Sequence, residues 1–200
     1  MDTILFLAAN PQDTTRLALD REAREVTECL RGTELGRSIR IAQEWAVRTR
    51  DLHGHLLRHQ PVVVHFSGHG SSAGQIILED DRGMAAPISK DALATLLGIL
   101  GKKVRCVVLN ACYSVDQASL LAKRVDCVVG MSTAVKDAVA IAFSTSFYQA
   151  LAGFGQSVQV AFELGCNQID LSSLSQADVP RLLRRDGVNP EDVRLFTDVR

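Results

Sequence analysis

Short unbroken apolar runs recur along the chain, and stretches with helical spacing separate them. ILFLAA (4–9), VVVHF (62–66), VRCVVLN (104–110) and DCVVGM (126–131) are rich in Val, Ile and Leu and have strand length. Such runs suit strands buried on both faces of a sheet. Residues 14–31 place Leu17, Ala23, Val26, Cys29 and Leu30 on one side of a helix. Further helices are predicted over 49–59, from a cap at Ser89 through Leu100, from Ser114 with Gln117 completing a capping box, and over 137–152 and 156–167. RSIRIAQEWA (37–46) reads as another strand, and QIILE (75–79) as one arm of a hairpin closed by Asp80-Asp81-Arg82-Gly83. Strands alternating with helices call for an α/β fold with a parallel sheet and right-handed crossovers. This pattern covers 1–170; the segment 171–200 is polar and Arg-rich and reads as a C-terminal extension or linker, in which Asn189-Pro190-Glu191-Asp192 can start one short helix with Asn189 as its cap.

Composition narrows the function classes. The 200 residues carry 22 Lys+Arg against 23 Asp+Glu, a net charge of −1, without the basic excess of a nucleic-acid binder. Ile4 to Ala9 is too short to span a bilayer and lacks the basic flank of a signal peptide, so no membrane partner is expected. The five cysteines are odd in number and form no CxxC, which points to a reducing, cytoplasmic setting rather than a disulfide framework. No Walker or GxGxxG pattern follows a strand, and no cofactor is expected.

Ligands of open α/β sheets bind beyond the carboxyl ends of the strands. Two such ends carry reactive side chains. HFSGHG delivers His69 between Gly68 and Gly70, and VVLNACYS delivers Cys112 just before a predicted helix. If these strands are neighbours, an imidazole and a thiol converge over one cleft. The helix N-terminus favours a thiolate at Cys112, His69 can shuttle its proton, and the N–H groups of Gly70 and Cys112 can face a developing oxyanion.

HFSGHG and VVLNACYS resemble the CHAT domains of the caspase-like (clan CD) cysteine peptidases, relatives of caspases, metacaspases and separase. The resemblance runs from ILFLAANP through the segment 128–162, roughly residues 3–168. It implies a caspase-like three-layer sandwich, with a mainly parallel central sheet and helices on both faces. It also implies a His69/Cys112 dyad and an oxyanion site at Gly70 and Cys112. The expected substrate is a protein or peptide. The expected role is a bacterial conflict, antiviral-defence or cell-death effector, controlled by an activating partner or an upstream protease. A latent or non-catalytic interaction module is the alternative.

Caspases carry a cleavable linker after the Cys-bearing half. Here only one helix separates Cys112 from Asp126, which predicts a single chain that does not mature by that cut. Metacaspase-type relatives place Asp where this chain has Asn110, so a basic preference does not follow from that position. Asp137 resembles the acid of the first specificity pocket in separase-like relatives, and it also suits the N-cap of the following helix. Gly130, Met131 and Ser132 are expected to form the cleft edge that pairs with an extended substrate. Glu79, Asp80 and Asp81 read as a solvated turn. His65 reads as a core group or a support for the site. His55 and His59, spaced i, i+4, have metal-ligand spacing, but no carboxylate or Cys nearby in sequence completes a set, so they and His53 read as a solvated face and no metal is expected.

Overall fold

A computed structural model describes residues 1–100 and 103–197. Its centre is a six-stranded sheet in the order β2-β1-β3-β6-β7-β8. The strands are β1 (Thr3–Ala9), β2 (Arg40–Glu44), β3 (Val63–Gly68), β6 (Cys106–Asn110), β7 (Cys127–Met131) and β8 (Pro180–Arg184), and a separate hairpin pairs β4 (Ile77–Glu79) with β5 (Ala85–Pro87). Within the six-stranded sheet all pairings are parallel except β7–β8, and the β4–β5 hairpin is antiparallel.

Period-two alternation along the strands makes two cores. On one face Ile4, Val63, Cys106, Val108, Cys127 and Val129 pack under α1 (Leu19–Arg31), α6 (Asp137–Tyr148) and α7 (Val158–Leu171). On the other, Leu5, Leu7, Val64, Phe66, Val107, Leu109 and Val128 pack under α3 (Leu52–His59), α4 (Lys90–Leu100) and α5 (Val115–Leu121). The three-layer α/β architecture expected from the sequence is thus the one found. A short helix, α2 (Glu34–Arg37), precedes β2.

Three local expectations are corrected. The first helix starts at Leu19, not at residue 14, because residues 10–18 form a loop held by Asn10. The Asn10 side chain accepts the Leu17 N–H (3.3 Å) and donates to the Leu17 carbonyl (3.2 Å). The capping box at Ser114 does not form. Ser114 Oγ instead donates to the Leu109 carbonyl and accepts the Met131 N–H, both at 2.9 Å, while Gln117 Oε1 accepts the Ile76 N–H at 2.8 Å. Finally, the segment after Asp170 is built into the body. It supplies β8, and Val193, Leu195 and Phe196 are buried in the first core. The turn at Asn189–Asp192 forms no helix. Residues 198–200 lie outside the described residues.

Candidate active site at the ends of two strands

β3 and β6 are adjacent, with Ser67 opposite Asn110 in the ladder. Both of these side chains reach the same carboxylate, Glu22 of α1, so both point to the α1/α6 face. His69 and Cys112 stand two residues further along each strand path. In a period-two structure that spacing keeps them on the same face, whereas a one-residue slip would have separated them. Both line one small cavity, together with Leu17, Ala18, Leu19, Glu22, Asn110, Val135, Asp137 and Ile141.

The backbone around the thiol is tightly folded. Tyr113 adopts a left-handed conformation (φ 56°) and gives its N–H to the Thr133 carbonyl, turning the chain sharply after Cys112. Gly70 lies against the Cys112 peptide so closely that a Cβ at residue 70 would stand 1.8 Å from the Cys112 oxygen. Among the described residues neither the Gly70 nor the Cys112 N–H has a hydrogen-bond acceptor. The Val135 N–H approaches Cys112 Sγ at 3.4 Å. His69 Nε2 is 2.8 Å from the Thr15 carbonyl in the Asn10-clasped loop. A carbonyl only accepts, so Nε2 carries the proton and Nδ1 is left as the basic nitrogen.

Beneath the cavity lies a buried polar network that the sequence did not signal. Glu22 Oε1 accepts from Asn110 Nδ2 (2.5 Å) and Ser144 Oγ (2.7 Å), and Oε2 accepts from Ser67 Oγ. His65 Nε2 lies 3.1 Å from Glu22 without hydrogen-bond alignment, and its Nδ1 meets the Tyr148 hydroxyl at 3.1 Å. Burial pushes the Glu22 carboxyl upward, but the His65 imidazole and the Ser67 and Ser144 hydroxyls outweigh it and hold the carboxyl below its ordinary value. Asn110 keeps one buried oxygen, Oδ1, without a partner.

The other expected positions divide. Asp137 is at the cavity, but it does not cap its own helix: Lys136 holds that position, and Asp137 Oδ2 accepts the Ala18 N–H (2.9 Å) at the start of α1. Met131 and Ser132 are not brought to the cavity. Met131 is fully buried opposite Pro180, and the Ser132 N–H donates to the Val179 carbonyl, so β8 and its approach occupy the edge expected for substrate. Asp80 closes the hairpin turn and Asp81 pairs with Arg50, whereas Glu79 is buried and accepts the Asn10 N–H. Glu79 and half-exposed Trp45 line a neighbouring groove of about 660 Å³, which Leu17 and Leu19 divide from the cavity.

The chain is similar to proteins of one kind. A "Probable protease" of Gillisia limnaea is 22% identical over 173 residues, which is 85% of this chain and 31% of that protein. The Arg-specific cysteine proteinase gingipain R superposes with a TM-score of 0.66 at 10% identity, covering 96% of this chain and 47% of that one. A secreted C11 cysteine protease from Bacteroides thetaiotaomicron (TM-score 0.58, 11% identity, 92% and 66% coverage) and caspase-1 from Spodoptera frugiperda (0.56, 11%, 92% and 85%) share the same fold. This chain therefore spans about a third of the curated relative and about half of gingipain R. The CHAT domain profile matches residues 2–176, from β1 through both strand ends to beyond α7, so the chain belongs to the CHAT domain family and carries a caspase-like cysteine-protease fold.

Proposed function

We propose that the chain is a cysteine endopeptidase in which Cys112 is the nucleophile and His69 the acid–base group. The observation that carries this reading is that the two side chains line one cavity from the ends of adjacent parallel strands. With Nε2–H fixed on the Thr15 carbonyl, His69 Nδ1 takes the thiol proton, and the Cys112 sulfur attacks the scissile carbonyl carbon. The resulting oxyanion accepts the free N–H groups of Gly70 and Cys112. The imidazolium then protonates the departing amine, leaving a thioester. Water, deprotonated by Nδ1, attacks the thioester; the acid leaves and the thiol is restored.

Asn110 and Asp137 are the proposed substrate-binding residues at this cavity, with Glu22 behind Asn110. Two carboxylates and a free amide oxygen, with no Lys or Arg among the lining residues, favour a cationic side chain at the residue before the cut. Gingipain R, the Arg-specific relative by fold, is consistent with that preference. The five cysteines are unpaired, which suits a reducing compartment such as the cytoplasm. Among the described residues no helix is long and apolar enough to cross a membrane.

A latent resting form is favoured by one observation. The cavity is narrow, about 40 Å³ against about 660 Å³ for the neighbouring groove. Leu17 and Leu19 wall it off, and the Ala18–Asp137 hydrogen bond holds the wall in place. Opening by an activating partner or an upstream cut would join cavity and groove, as suits a conflict or cell-death effector held silent. Digestion of a proteome-derived peptide library by wild type, Cys112→Ala and Leu17→Ala proteins tests both readings. Cleavage after Arg or Lys that needs Cys112 and rises in Leu17→Ala is expected. Equal cleavage by the Cys112→Ala protein would overturn the assignment.

A further inference from the structure

His55 and His59 have no third ligand close by along the chain, but the fold supplies one. β2 is the outer strand of the sheet, and its last residue, Glu44, meets the facing side of α3. Glu44 Oε1 lies 2.7 Å from His59 Nε2 and 3.3 Å from His55 Nδ1. One ligand atom from each of the three residues falls within 4.8 Å of the others. His59 is nearly enclosed, with 5% of its side chain exposed, while His55 (14%) and Glu44 (23%) leave the rim open to water. His55 Nδ1, aimed at the carboxylate, is buried and makes no aligned hydrogen bond.

We propose that Glu44, His55 and His59 bind a divalent first-row transition ion, with zinc the best fit. Helical i, i+4 spacing puts both imidazoles on one face, and the strand holds the carboxylate against them. In a tetrahedral site with bonds of ~2.0–2.1 Å, ligand atoms stand about 3.3–3.4 Å apart. The His55–Glu44 separation already has that value. The His59–Glu44 contact of 2.7 Å needs to open by about 0.6 Å. Arg58, 3.8 Å from the same oxygen, is 68% exposed on a long side chain and can swing into solvent. Two nitrogens and one carboxylate suit zinc, cobalt or nickel, and supply too few oxygens for calcium or magnesium. The fourth position falls to water at the open rim. The ion would staple the unpaired sheet edge to α3, immediately before Trp45 and Ala46, which line the groove. This site is separate from the strand-end cavity and stands whether or not the chain is a protease.

The test uses the Cys112→Ala protein, so that the strand-end thiol cannot hold metal. Calorimetric titration with Zn2+ is expected to give one ion per chain, and Co2+ is expected to give visible d–d bands without sulfur charge transfer. His55→Gln and Glu44→Gln should each weaken binding about tenfold or more, and exposed His53→Gln should leave it unchanged. Thermal melts without metal check that each variant is folded. No binding, binding that survives both substitutions, or a sulfur charge-transfer band would overturn the proposal.

Discussion

Replacing Gly70 by Ala isolates the oxyanion geometry from the rest of the fold. The new methyl would stand 1.8 Å from the Cys112 carbonyl oxygen, 2.8 Å from its carbon and 3.0 Å from its nitrogen. Ordinary contact begins at 3.4 Å, so the two backbones must part by about 1.6 Å, and neither is the movable end of a side chain. A misplacement of about 1 Å costs on the order of 10²-fold in rate, and loss of one oxyanion donor about 10²–10³-fold. Overpacking costs roughly 1–3 kcal/mol or more when backbone must move, so the activity is read only on protein that the melt shows to be folded. The assay is kcat/KM on the best peptide from the library, alongside a thermal melt. Folded Gly70→Ala protein should lose at least about 10²-fold in kcat/KM. Folded protein with activity within a few-fold of wild type would show that the Gly70 and Cys112 N–H groups do not hold the oxyanion.

Glu22 makes stability fall in acid. A carboxyl held below its ordinary 4.5 adds stability that is present above that pH and is lost as pH falls through its folded value. Urea unfolding as a function of pH should therefore show a drop below about pH 4.5 that Glu22→Gln flattens, and the variant should be roughly 1–3 kcal/mol less stable at neutral pH because the Ser67, Asn110 and Ser144 donors lose a charged acceptor; a parallel acid slope in both proteins would refute this. The thiols should also differ in reactivity. Burial pushes Cys29 and Cys127 up to about 12 and Cys166 to about 11, and raises Cys106 well above its ordinary value, so these stay protonated at neutral pH. Iodoacetamide at neutral pH, read by peptide mapping, should mark Cys112 first; equal labelling of all five would contradict a distinct strand-end thiol.

The sheet was legible because β1, β3, β6 and β7 are continuous apolar runs, and burial on both faces demands that pattern. The two strand ends were legible because Gly-His-Gly and Ala-Cys-Tyr-Ser interrupt such runs abruptly. What stayed hidden depends on partners distant in sequence. Leu17 and Ala18 have helical spacing, but Asn10 and Asp137 compete for their backbone groups and hold a loop. Ser114 and Gln117 match a capping box, yet tertiary acceptors and donors claim both side chains. Glu22 sits on an amphipathic helix among charged neighbours, and nothing local marks it as buried 45 residues away from Ser67 and 88 from Asn110. The tail looked detachable because β8 is a short edge strand in which only Pro180 is buried and Arg181 and Arg184 are exposed, a pattern too short to separate from a polar linker.

The most direct test concerns the partnership between an imidazole and a thiol 43 residues apart. It is the rate of iodoacetamide alkylation at Cys112, measured at neutral pH in wild type and in His69→Ala protein shown by its melt to be folded. If His69 takes the thiol proton, the substitution should slow the reaction by about 10²-fold, the low end of general-base effects. An unchanged rate at Cys112 would mean that the two strand ends share a cavity without acting as one catalytic unit.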